Sequence, residues 1–162
     1  MSDSREILLD IKDLEIAYQT DFEHVKAVNG ISFSLKKGTT LGIVGETGAG
    51  KTTTALSILR LLPDRTARVA GGSILFDNKD LMQASENEML RIRGKRISMI
   101  FQDPMTSLNP IVQVGDQILE ALSLHNTENL STAELGKRVD QALELVGIQK
   151  NRKKDFPHQF SG

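Results

Sequence analysis

The stretch GIVGETGAGKTTTALSIL, residues 42–59, sets four glycines and a lysine around one bend between an apolar run and a run patterned like a helix. Gly45, Gly50, Lys51 and Thr52 satisfy the spacing G-x-x-x-x-G-K-[ST], with Glu46, Thr47, Gly48 and Ala49 between them and Thr53 following. Glycines at 45, 48 and 50 open backbone angles closed to other residues, so that successive N–H groups turn inward on phosphate oxygens. A helix beginning near Gly50 adds the positive end of its dipole. Lys51 brings a mobile ammonium to β- and γ-phosphates, and the Thr52 hydroxyl can ligate the magnesium that partly neutralises them. A glycine-rich turn before an ordinary helix is the plain alternative. The placement between a buried-type strand and an amphipathic helix favours a nucleoside triphosphate site.

Working outward, TLGIV (Thr40–Val44) is short, unbroken and apolar, which predicts a strand covered on both faces. Beyond the bend, Ala55, Ile58, Leu59 and Leu62 fall at helical spacing, with Pro63 as the expected stop. Upstream, Ile7, Leu9 and Ile11, then Leu14, Ile16 and Tyr18, alternate as half-buried strands do, and Val28–Leu35 repeats the pattern. An antiparallel pair joined by the polar loop around Asp21–His24 is the simplest reading. GGSILFDNKDL predicts a further strand ending in an Asp77-Asn78 turn, Ser85 and Glu88 a capping box, and RISMIFQ (Arg96–Gln102) a second buried strand. After Gln102 the signals turn helical: Val114–Leu124, then Ser131–Val146 with a Ser131/Glu134 capping box, a stripe of Leu135, Val139, Leu143 and Val146, and Gly147 as stop.

Composition narrows the classes. Twenty Lys and Arg against 21 Asp and Glu give a net charge of -1, so no global basic field points to nucleic acid or an anionic membrane. Any anion must be held locally. There is no cysteine, hence neither a disulfide framework nor a thiolate metal site, and the three His are scattered. MSDSREILLDIKD lacks the pattern of a secretory leader, and the apolar runs are far shorter than the roughly 20 residues that span a bilayer.

Three motifs taken together, the phosphate loop, RISMIFQDPMTSLNP and FPHQFSG, resemble the ATP-binding subunits of ABC transporters in order and spacing. The central piece is especially similar to the peptide and nickel importers, the dipeptide and oligopeptide permease ATPases. This resemblance implies an α/β fold of the phosphate-loop NTPase kind. It divides into an antiparallel β subdomain (1–39 and 64–82), an α/β core (40–63 and 83–102) and a helical subdomain (103–162). It implies that Tyr18 stacks on adenine, that Gln102 joins Thr52 at Mg²⁺, and that Glu46 points away from the γ-phosphate. Residues Gln102–Pro110 would meet a membrane permease subunit, and Ser161 and Gly162 would open the signature motif that clasps ATP on a second ATPase subunit. A solute-binding protein would be an indirect partner, and the location the cytoplasmic face of the cell membrane.

By the same resemblance, the magnesium-organising carboxylate, the general base and the strands flanking TLGIV and RISMIFQ come from sequence after Gly162. No catalytic base is expected within these residues, and the two buried-type runs are expected to be uncovered. Two other readings of the chain stand beside the importer subunit. One is a non-transport ABC ATPase of the DNA-repair kind, and the other a nucleotide-binding fragment without turnover.

Overall fold

Two opposite phases of alternation, Ile7 to Ile11 and Leu14 to Tyr18, are accommodated by a single strand, β1 (Ile7–Gln19). Its pairing with β2 (His24–Lys36) is antiparallel, Ile11 opposite Phe33 and Ile16 opposite Val28, with register shifts around Asp13. Asp13 itself is left-handed, φ 47, and its N–H donates to Ser32 Oγ at 2.8 Å. The irregularity flips the side-chain phase, so Ile11, Leu14 and Ile16 are all buried. The sequence pattern thus reports a bulge as well as a strand.

The computed structural model describes residues 6–19, 24–103 and 107–160, in two units, Met1–Ile97 and Ser98–Gly162. In the first, strands β3 (Ala67–Phe76) and β4 (Lys79–Asp80) complete a sheet of order β2-β1-β3-β4, antiparallel throughout. The β3–β4 turn is made by Asp77 and Asn78, both at positive φ as a tight hairpin requires. Helices α1 (Lys51–Ile58) and α2 (Glu86–Ile92) belong to this unit. Its core gathers Ile11, Leu14, Ile16, Ile74, Leu81 and Met89.

The second unit contains α3 (Val114–Leu124), α4 (Thr132–Leu145) and 3₁₀ turns at Lys150–Lys154 and Pro157–Gln159. Leu135, Val139 and Leu143 are buried as the stripe predicts, whereas Val146, just past the last turn of α4, is exposed. Gly115 is packed so closely that a Cβ there would lie 2.7 Å from the Lys153 carbonyl. Val114 N–H donates to Asp155 O at 2.9 Å, tying the start of α3 to the same turn.

Three expectations are corrected. Neither Thr40–Val44 nor Arg96–Gln102 forms a strand, and their uncovered faces leave Val44 93% and Ile100 89% exposed. The physical reason is pairing. Strands β1 to β4 each find an antiparallel neighbour among the described residues, β1 pairing with both β2 and the distant β3, whereas no strand lies beside Thr40–Val44 or Arg96–Gln102 there, and the second run makes only the isolated bridge of Ile97 to Arg93. Helix α1 also ends at Ile58, well before Pro63, on a left-handed Arg60. Leu62, read as its last apolar position, packs on the core from outside the helix.

Candidate functional site

The bend from Gly45 to Gly50 is held by its own backbone. Ala49 N–H donates to Glu46 O at 3.2 Å, and Gly48 and Gly50 are left-handed at φ 84 and 80. Gly50 is buried against β2, where a Cβ would fall 2.4 Å from the Ala27 carbonyl oxygen. No other residue fits there. Gly50 is also the N-cap of α1, so the position from which a side chain would ordinarily cap the helix is sterically closed.

The consequence is an open helix N-terminus. The first intrahelical bond is Thr54 N–H to Gly50 O at 2.8 Å, so the N–H groups of Lys51, Thr52 and Thr53 have no intrahelical acceptor. The first turn carries no acidic residue to cancel the dipole. Lys51 folds back across the bend, its Nζ donating to Gly45 O and Glu46 O, each at 2.6 Å. Thr52 is exposed at the second helical position. Glu46 and Thr47 are exposed on the bend, and it is the Glu46 carbonyl that engages Lys51. Donors, ammonium and hydroxyl therefore sit together as an anion and its Mg²⁺ would use them.

Tyr18 is half-buried near the end of β1, opposite Val25 on β2 and Ala67 on β3. Val25 lies two residues, or about 7 Å of strand, from the Ala27 carbonyl that abuts Gly50. The sheet thus carries the tyrosine and the bend toward the same end. Gln102 is exposed and belongs to the second unit, so Thr52 and Gln102, the implied magnesium pair, are divided between the units. Of the stretch Gln102–Pro110, residues 104–106 lie outside the described residues, as do Ser161 and Gly162 further on. The described part is clamped to α3 by Gln117, whose Oε1 accepts from Asn109 N–H at 2.9 Å and whose Nε2 donates to Asn109 O and Val112 O at 3.0 Å. This clamp leaves Ile111 exposed.

Gln117 was invisible to pattern reading, as was the anchoring of α1 at its other end. There Arg60 N–H donates to Ser57 O at 3.0 Å and Leu61 N–H to Leu56 O at 2.9 Å, a Schellman arrangement whose left-handed residue is Arg60, φ 52. A left-handed non-glycine residue costs ~1–2 kcal/mol. The Arg60 guanidinium donates to the Ala84 carbonyl, and that of Arg93, at the end of α2, donates to Leu59 O at 2.7 Å and Arg60 O at 3.2 Å. Hydrogen bonds to a charged partner contribute about 1.5–3 kcal/mol, enough to offset the strain. The available signal was the lack of any glycine between Ser57 and Pro63, which forces a larger residue into the turn.

A glycine-built bend leading into an uncapped helix, with a lysine at its start, defines a phosphate-loop protein. A family profile described as ABC transporter matches residues 28–162, and the chain belongs to that family. It is 50% identical over 157 residues to the oligopeptide transport ATP-binding protein OppD of Bacillus subtilis (strain 168), covering 96% of this chain and 43% of that one. It is also 50% identical over 159 residues to the dipeptide transport ATP-binding protein DppD of the same organism, covering 97% and 47%. The chain thus spans somewhat less than half the length of these relatives. Among solved structures it superposes with a TM-score of 0.77 on the dimeric post-hydrolysis state of the ATP-binding cassette MJ0796 bound to ADP and Pi. That match is 21% identical and covers 95% of this chain and 63% of the cassette, a likeness of fold. The fold class is accordingly that of an α/β ABC ATPase, represented here by its antiparallel sheet and helices.

Proposed function

We propose that these residues form the nucleotide-binding part of the ATPase subunit of a peptide importer, holding Mg·ATP at Gly45–Thr53. The observation that carries this reading is the open N-terminus of α1 under the Lys51 ammonium, beside a glycine that excludes any capping side chain. In this reading Lys51, Thr52 and Thr53 N–H groups bind the phosphates, the Thr52 hydroxyl and Gln102 serve Mg²⁺, and Tyr18 stacks on the base. Mg²⁺ supplies charge neutralisation when bound. Identity of 50% to relatives named for oligopeptide and dipeptide transport favours peptides as the cargo class, with nickel the other substrate of similar importers. No helix of the described residues is long and apolar enough to cross a membrane. In the same reading membrane contact would run through a permease subunit at Gln102–Pro110, and Ser161 and Gly162 would belong to the contact with a second ATPase subunit. The division into β subdomain, α/β core and helical subdomain is part of the same proposal.

Residues 1–162 by themselves bind ATP without cleaving it. Hydrolysis requires a positioned water and a base, and the first turn of α1 carries no carboxylate. The test is thermal unfolding with and without Mg·ATP, together with phosphate release, for the wild type and Lys51→Ala. Ligand at 100 times its Kd stabilises by about 2.7 kcal/mol. The wild type is expected to show that protection and Lys51→Ala to lose it, with phosphate release equal in both. Equal protection overturns the site, and Lys51-dependent turnover overturns the assignment of the base to other sequence.

A further inference from the structure

Helix α1 is only eight residues long, about 12 Å, and its N-terminal donors are the working part of the site proposed above. What aims it is unusual. Its own buried residues are Thr54 and Ser57, and both hydroxyls turn back on the helix, Thr54 Oγ1 to Gly50 O at 2.9 Å and Ser57 Oγ to Thr54 O at 2.7 Å. They supply no directional bond to the sheet, and Ile58, the last residue of the helix, packs on the core through apolar contact alone. At the N-terminal end the helix rests on β2 through Gly50.

At the C-terminal end the orienting group is Arg93. Its Nε and Nη2 bond the Leu59 and Arg60 carbonyls, and its Nη1 pairs with Glu86 at the start of α2. One planar fork thereby spans the ends of two elements, a geometry that a lysine with a single nitrogen cannot reproduce. Arg60 returns the connection in the opposite direction, from the end of α1 to the Ala84 carbonyl just before α2. The guanidinium charge of Arg93 also lies at the negative end of the α1 dipole. With one end seated on β2, Ile58 packed on the core and the carbonyls after the other end bonded by the fork, the short rod has directional contacts that oppose a tilt. Functional groups need placing to within about 0.5 Å, and a tilt of α1 displaces the Lys51–Thr53 donors directly.

We infer that Arg93 is a positioning residue for the phosphate loop, acting through the C-terminus of α1 on nucleotide affinity without touching the nucleotide. The inference rests on the reading of Gly45–Thr53 as the nucleotide site. Residues acting at a distance on a site change its energetics by about 0.5–2 kcal/mol, so the Kd for Mg·ATP should rise between about 2-fold and about 30-fold in Arg93→Ala. Arg93→Lys should recover the thermal midpoint more completely than the affinity, because it restores the charge and not the fork. Arg91, exposed on the same helix, has no bond to α1, and Arg91→Ala controls for loss of charge.

The experiment is Mg·ATP titration of the full chain and its Arg93→Ala, Arg93→Lys and Arg91→Ala variants. It is run at a temperature where circular dichroism shows each folded, with hydrogen exchange followed at the Gly48–Thr53 amides. Weaker binding by the folded Arg93 variants, faster exchange at those amides and an unchanged Arg91→Ala support the inference. If Arg93→Ala does not fold, the comparison of Arg93→Lys with wild type decides. Wild-type affinity and exchange in folded Arg93→Lys overturn the inference, even if its melting point falls, while leaving the nucleotide site standing. No binding by the wild type itself overturns both.

Discussion

Helices α1 and α4 end in the same backbone motif and begin in opposite ways. At their C-termini each closes with a Schellman arrangement: Gly147 N–H to Glu144 O at 3.0 Å and Ile148 N–H to Leu143 O at 2.9 Å in α4, with the counterpart at Arg60 and Leu61 in α1. In α4 the left-handed residue is the expected glycine, φ 77, whereas in α1 it is an arginine whose guanidinium is used elsewhere. At the N-termini the contrast is sharper. Ser131 and Glu134 close α4 with reciprocal side-chain bonds, and the start of α1 is left bare by a glycine that no side chain can replace. The faces differ as well, Leu135, Val139 and Leu143 in α4 against Thr54 and Ser57 in α1. One helix spends its polar groups on its own stability. The other leaves its first donors without a side-chain cap, and the carbonyls that follow it accept from an arginine outside it.

The largest expected effect follows from the apolar stripe of α4. Leu143 is 3% exposed, and truncation of such a residue removes transfer free energy and leaves a cavity. Leu143→Ala should destabilise the helical unit by about 2–5 kcal/mol, measured by chemical denaturation followed by circular dichroism. The same experiment with Ser57→Ala in α1 should cost far less, since it deletes one hydroxyl bonded within its own helix. Comparable losses would mean that α1 is stabilised by its own face after all.

A smaller effect belongs to the N-cap. Ser131 Oγ accepts from Glu134 N–H at 3.4 Å and donates to its carboxylate at 2.6 Å, while Ser131 N–H donates back to the carboxylate at 2.8 Å. Removing such a cap costs about 1 kcal/mol. Ser131→Ala should therefore lower the unfolding free energy of the helical unit by about that amount and leave the Kd for Mg·ATP unaltered. A change in nucleotide affinity would break the division between the two helices.

Much of this contrast was legible in the sequence. Both capping boxes, the tight turn at Asp77-Asn78 and the antiparallel pairing of β1 with β2 follow from local rules, because their partners lie a few residues apart or along adjoining strands. The phosphate loop was legible for the same reason: its geometry is backbone geometry, and glycine spacing reports it. Thr40–Val44 and Arg96–Gln102 were misread because an apolar run encodes burial but not the neighbour it pairs with. Arg60, Arg93 and Gln117 went unseen because their carbonyl and amide partners have no side-chain signature. Arg93 is 34 residues from Leu59 in sequence, and a carbonyl acceptor looks the same at every position.

The smallest effect tests the closed N-terminus by its titration. Hydrogen bonds from the Ser131 side chain, then from its backbone N–H, hold the Glu134 carboxyl below the usual carboxylate range, and Arg138 adds a weaker attraction. A carboxylate whose folded pKa is depressed contributes stability that is complete above its unfolded value, about 4.3, and is lost as pH falls through the folded value. The α4 cap should therefore hold at neutral pH and weaken only in acid, below the ordinary glutamate range. Helix α1 has no acidic residue in its first turn and no such sensitivity of its own. Acid sensitivity in its unit enters elsewhere, at Glu88 of α2, which the Lys79 ammonium and then Ser85 hold down at about 2, and at Asp77 of the β3–β4 turn, which Arg96 and then Lys37 hold below the usual carboxylate range. Carbon-detected NMR titration should find Glu134 depressed in the wild type and restored toward the ordinary value in Ser131→Ala. The amides of Lys51–Thr53 should pass through the Glu134 transition without shifting. An ordinary Glu134 titration in the wild type would show that the reciprocal bonds do not persist in solution. The N-termini of α1 and α4 would then differ in sequence and not in chemistry.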